Sequence, residues 1–150
     1  MIKGKNFLSG FTIIELIVVV AIIAILAIIV FSNITGYTVK GSNSSIKESI
    51  SSLVINGVSY YYANGSFSDF NEDSATGCGP GGRISSAVSS AGGSLLCKVS
   101  VDGSAWCGCS RLNTTNDAPT GSVFCVDSKG AKVVKINSCA DECTSDGVCQ

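Results

Sequence analysis

The sequence predicts an α+β protein: a long N-terminal helix, membrane-spanning in the precursor, packed on a small antiparallel β-sheet within a disulfide-rich head. Three observations carry that prediction. Residues 11–31, FTIIELIVVVAIIAILAIIVF, form an unbroken apolar run. Apolar residues then recur at helical spacing from Ile46 to Tyr61, and four strand-like stretches follow between Leu95 and Ile136. All eight cysteines lie between Cys78 and Cys149.

The apolar run comes first because it fixes the compartment. As a helix rising about 1.5 Å per residue it spans roughly 31 Å, the depth of a bilayer's hydrocarbon core. Its many Ile and Val residues are poor helix formers in water, but in lipid a helix is the single-segment way to satisfy every backbone group. Before it stands MIKGKNFLSG, with Lys3 and Lys5 and no acid. That stretch stays on the cytoplasmic side by the positive-inside tendency. A secretory signal would be cut after the run, at small residues, and SNITGYT is a poor match. A permanent anchor has no use for Glu15, because a carboxylate within a membrane helix costs at least about 2.5–3.5 kcal/mol near the centre and less near the end.

Gly10-Phe11-Thr12-Ile13-Ile14-Glu15, after a short basic leader and before an uninterrupted apolar run, resembles the processing motif of type IV prepilins and type II secretion pseudopilins. The resemblance implies several things. Residues 1–10 are a leader removed by prepilin peptidase between Gly10 and Phe11. Phe11 becomes the N-methylated terminus. Glu15 pairs with the Phe11 amine of a neighbouring subunit in a helical homopolymer. An assembly ATPase and a platform membrane protein drive assembly from the inner membrane to the cell surface. Two departures stand out: Ser9 where a Lys is common, and Ser32 near where many members have a kinking Pro. The resemblance is close over residues 1 to about 65 and architectural beyond.

The expected organisation is a leader over 1–10, a helix over 11–62 and a head over 63–150. The helix divides into a membrane or filament-core part, 11–31, and an amphipathic part, 42–62. Between them SNITGYTVKGSNSS is polar and helix-poor, so the helix is expected to loosen there, with bending at Gly36 and Gly41. Ile46, Ile50, Leu53, Val54, Val58 and Tyr61 form one stripe, expected to pack on the sheet. Ala63-Asn64-Gly65 is a plausible C-cap. Tyr60, Tyr61 and Tyr62 point in different directions on a helix, so they pack in core and rim rather than forming one flat platform. A short helix over Ile84–Ser90 is expected next. Strands are expected at Leu95–Val101, Ser104–Leu112, Val123–Asp127 and Ala131–Ile136, the last two joined by a hairpin at Ser128-Lys129-Gly130.

An even set of cysteines in a polar, Gly-rich domain beyond a membrane segment reads as disulfides formed outside the cytoplasm. The set is Cys78, Cys97, Cys107, Cys109, Cys125, Cys139, Cys143 and Cys149. Cys107 and Cys109 share one face of a strand about 6.6 Å apart, too far for an unstrained mutual bond, so they reach different partners. The pairing is open, because eight cysteines allow 105 connectivities. A four-cysteine zinc site lacks the short C-x2-C pairs. A Ca²⁺ site at Asp141, Glu142 and Asp146 lacks EF-hand spacing. The N-x-S/T triplets at Asn33, Asn43, Asn64 and Asn113 are frequent by chance in a Ser-rich chain.

Several function classes drop out. The chain has no His, which excludes imidazole catalysis and ligation. Loss of Lys3 and Lys5 takes 10 basic residues to 8 against 11 acidic, net −3, with no basic run, so nucleic acid is not indicated. No nucleotide loop, nucleophile–base pair or cofactor motif is present. The expectation is a non-enzymatic pilus subunit without a cofactor, serving adhesion, motility or DNA uptake. A major pseudopilin of a secretion or competence system is the alternative. A membrane-tethered, monomeric, disulfide-rich binding module is the rival from another class.

Overall fold

The computed structural model describes residues 10–79 and 81–150, with the side chains at 32, 33 and 35 also outside the description. The leader expected over 1–10 therefore lies outside the described residues except for Gly10, as does the side chain of Asn33. The chain forms two compact units, one ending at Thr35 and one running Gly36–Gln150.

Helix α1 runs Ile13–Asn64. The expected loosening between 32 and 45 is absent: the backbone is helical through Gly36 and Gly41. Each Gly costs about 1 kcal/mol relative to Ala, but a break would forfeit ladder bonds and require a second costly nucleation. The helix ends where its cap signal lies. Gly65 adopts φ 73°, which only Gly enters freely, and its N–H donates to Tyr61 O at 2.7 Å.

In the second unit, α1 is followed by α2 (Arg83–Ser90) and four strands: β1 (Leu95–Val99), β2 (Trp106–Arg111), β3 (Ser122–Asp127) and β4 (Lys132–Ile136). A one-turn helix, α3 (Cys139–Glu142), follows. The strands form an antiparallel meander in the order β1-β2-β3-β4. β1 and β2 are shorter than expected because the chain between them turns, with Ser100 N–H donating to Ala105 O and Gly103 N–H to Ser100 O, both at 2.9 Å. The β3–β4 hairpin is built around Asp127, whose Oδ1 accepts from the N–H groups of Lys129 and Ala131 at 3.0 Å each.

Two clusters sandwich the sheet. On one side Ile46, Ile50 and Leu53 of α1, Val88 of α2, and Phe67 and Phe70 of the intervening loop pack on Trp106, Phe124 and Val126. Phe70 lies 5.0 Å from the Trp106 ring and 5.2 Å from that of Tyr60. On the other side Cys107, Cys109, Val123, Cys125 and Cys143 form a second cluster, with Val133, Cys139 and Cys149 packed against it. α3 supplies that cover, and no apolar periodicity announces it. β3 is consequently buried along its whole length.

The apolar stripe of α1 leaves the core earlier than expected. Val58 is 51% exposed and Tyr61 47%. Helix and sheet approach closely at Gly57, where a Cβ would stand 2.5 Å from Trp106 Nε1. Of the three tyrosines, Tyr60 packs on Phe70, Tyr61 on Phe67, and Tyr62 is exposed.

Two polar clamps tie α1 to the rest of its unit. Asn43 donates from Nδ2 to Asn113 O at 2.8 Å and accepts at Oδ1 from Asn113 N–H at 2.7 Å. Lys40 and Asp117 form an exposed ion pair at 2.7 Å, which solvent screening leaves weak. Cys78 bonds to Cys97, 19 residues on, and fastens the loop after α1 to β1. Closing a loop of that length contributes about 3 kcal/mol. Replacing both residues by serine is expected to destabilise the head by about that amount. Thermal unfolding of the full chain in detergent, followed by near-ultraviolet circular dichroism, measures it.

Candidate functional site: the capped N-terminus of the apolar helix

Thr12 and Glu15 form a reciprocal cap on the first turn of α1. Glu15 Oε2 accepts from Thr12 N–H at 2.9 Å and from Thr12 Oγ1 at 2.8 Å. Thr12 Oγ1 in turn accepts from Glu15 N–H at 3.3 Å. This is a capping box, T-x-x-E, which satisfies orphan donors at a helix start. The signal was present in the sequence as Thr12 three residues before Glu15, and Thr12 is the site residue that the motif reading alone overlooks.

The cap has a chemical consequence. A carboxylate offers about four acceptor positions, and the cap occupies one oxygen with two donors. Glu15 therefore retains capacity for a further cation while holding its own helix start. Its negative charge also sits at the positive end of the helix dipole. Phe11, Ile14, Val18 and Val19 surround it in a shallow apolar hollow of about 300 Å³.

Ile13–Phe31 is a 19-residue span long and apolar enough to cross a membrane, and none of it is buried within the chain. Something outside the chain must cover it, since lipid and apolar side chains are comparable cover.

The eight sulfurs fall into three groups. Cys78 and Cys97 form a pair. Cys107 Sγ lies against Cys143 and 3.6 Å from Cys149. Cys109 Sγ lies against both Cys125, its register partner on β3, and Cys139 at the start of α3. Cys107 and Cys109 thus reach different partners. Cys109 can bond to only one neighbour at a time. The sulfurs of Cys109, Cys125 and Cys139 lie within 4.8 Å of one another, a set that could offer three thiolates to a metal if reduced. The Cys149 thiol is pushed up to about 12 by burial, then by Asp127 and Glu142, so it stays protonated at neutral pH.

The acids considered for Ca²⁺ are not gathered; among the described residues the only such ligand group is the sulfur triad. Asp141 Oδ2 accepts from Ser138 Oγ at 2.6 Å, at the N-cap of α3. Glu142 is buried and accepts from Asn137 Nδ2 at 3.1 Å. Asp146 lines a separate surface groove beside Ser104. Of the glycosylation triplets, the Asn43 side chain is spent on the backbone of Asn113, Asn113 Nδ2 donates to Ala91 O at 3.0 Å, and Asn64 Nδ2 donates to Tyr60 O at 3.0 Å.

These features define a class: an α+β protein with a helix long and apolar enough to cross a membrane, a capped acid at the start of that helix, and a head rich in sulfur contacts. The apolar segment matches the prokaryotic N-terminal methylation motif over residues 9–31. That motif is the signature of type IV pilins and pseudopilins, and it implies processing by prepilin peptidase. No curated protein and no solved structure matches the chain.

Proposed function

We propose that the chain is the structural subunit of an extracellular type IV pilus, cut between Gly10 and Phe11 and N-methylated at Phe11. The observation that carries this reading is Glu15, capped by Thr12, at the start of an apolar span that the chain itself leaves uncovered. In the bilayer, lipid covers the span. In a filament, neighbouring copies of the same helix replace lipid, so apolar cover is kept and extraction into water is avoided. The freed Phe11 amine of one copy then meets Glu15 of the next. Each is costly to bury alone and less costly as a pair.

By this reading the precursor is a single-pass inner-membrane protein with its head outside. An assembly ATPase and a platform membrane protein supply the work, since the chain has no nucleotide motif of its own. The protein acts by polymerising rather than by catalysis. An intact Glu15 supports a major subunit, able to pair at every position along the polymer. A major pseudopilin would share this chemistry and differ in the length and location of its filament.

Mass spectrometry of material sheared from cells tests the proposal. A chain beginning at methylated Phe11 is the expected result. A chain confined to membranes and still beginning at Met1 would sink the filament reading and leave a tethered monomer.

A further inference from the structure

The surface of the head is electrostatically divided between the two edges of its sheet. Residues 128–136, SKGAKVVKI, carry Lys129, Lys132 and Lys135 and no acid, and all three lysines are exposed. They lie on or beside β4, the last strand of the sheet, which among the described residues pairs only with β3. Val134 and Ile136 on the same strand are 48% and 69% exposed, although their register partners Phe124 and Ser122 are buried. β4 is thus an uncovered apolar edge set among lysines.

The opposite edge carries the opposite charge. Residues 66–79 contain Asp69, Glu72 and Asp73 and no base. Cys78–Cys97 fastens this loop to β1, and Phe67 N–H donates to Gly103 O in the β1–β2 turn at 2.9 Å. That turn adds Asp102, held down at about 2 by hydrogen bonds from Ser100 and Ser104, and Val101, which is fully exposed. Asp69 and Glu72 are exposed, whereas Asp73 accepts from Ala75 and Thr76 N–H groups at 2.7 and 2.8 Å. The nearby bases are committed to backbone carbonyls: Arg83 donates to Ala75 O and Lys98 to Ala140 O, each at 3.2 Å.

We propose that the β4 edge of one copy docks on the acidic loop and β1–β2 turn of a second copy. Lys132 and Lys135 face Asp69 and Glu72, and Val134 and Ile136 cover Val101. The occupant is a second copy because the two patches match in charge and each carries exposed apolar residues. They sit at opposite edges of one sheet, so one molecule cannot bring its own two together. The contact is heterologous, uses different surfaces on the two partners, and adds subunits without limit unless a ring closes. Complementary charge sets its register and excludes like-charged approaches. This contact rests on the filament reading and names the head surface that takes part in it.

Charge reversal in the full-length chain, expressed in cells that assemble it, is the test. Lys132→Glu with Lys135→Glu is expected to reduce sheared filament by about tenfold or more, with the membrane pool of cleaved subunit unchanged. Asp69→Lys with Glu72→Lys is expected to do the same. All four together are expected to restore yield to within about threefold of wild type, because the pairs couple. Wild-type yield from either double variant, or no recovery in the fourfold variant, would overturn the contact while leaving the filament reading intact. Absence of wild-type chain from the sheared fraction would overturn the filament reading and this contact with it.

Discussion

Glu15→Leu is expected to leave the subunit inserted and cleaved but nearly absent from sheared filaments. Leucine suits the bilayer better than glutamate, so insertion gains rather than suffers. In the proposed filament, assembly suffers because the Phe11 amine of a neighbour would enter an apolar bundle without its partner. Breaking a buried ion pair by deleting one member is strongly destabilising, and the expected loss of filament is roughly a hundred- to several-thousandfold. Quantitative immunoblotting of sheared and membrane fractions measures it. Thr12→Ala separates the two roles of the carboxylate. It removes Thr12 Oγ1, which gives one bond to Glu15 and takes another from it. Losing an N-cap side chain costs about 1 kcal/mol, so the yield of Thr12→Ala should fall only several-fold. Equal losses in the two variants would mean that Glu15 matters through its own helix start and not through a neighbour.

Trp106→Ala is expected to cost the head about 3–5 kcal/mol, a large part of the stability of an ordinary small domain. Trp106 is almost wholly buried, its ring lies 5.0 Å from Phe70, and it covers Gly57 of α1. Gly57→Ala attacks the same contact from the other side. Its Cβ would meet the indole at 2.5 to 2.8 Å, so the ring must move, a clash worth about 1–3 kcal/mol despite alanine's better helix propensity. Urea unfolding of the full chain in detergent gives both values by circular dichroism. For Gly57→Ala, fluorescence of the single tryptophan provides a second probe. Tyr62→Ala serves as the control, since a side chain 86% exposed should change stability by no more than about 0.5 kcal/mol. Comparable losses at Tyr62 and Trp106 would contradict the placement of the core.

Most elements were legible because their signals are local. The periods of α1 and the strands, Gly65 at the helix end and the turn around Gly130 each depend on a few neighbouring residues. α3 was missed because four residues give no period, and its place depends on Cys139 and Cys143 reaching β2. The stripe through Val58 and Tyr61 was read as core because periodicity reports a face and not how far a neighbour extends along it. The loosening expected between 32 and 45 failed because propensity is a small cost per residue, while a helix is lost or kept cooperatively.

The sequence by itself determined the apolar span, its acid and the motif that classes the chain. All of these lie within one continuous segment and act through spacing along it. Only the tertiary structure decided that Gly57 carries Trp106, that Asn43 clamps Asn113, and that both sheet faces are covered. It likewise decided which sulfurs gather around Cys107 and Cys109. Those features join residues tens of positions apart, and their partners are set by how the helices and loops close on the sheet, which no local period encodes.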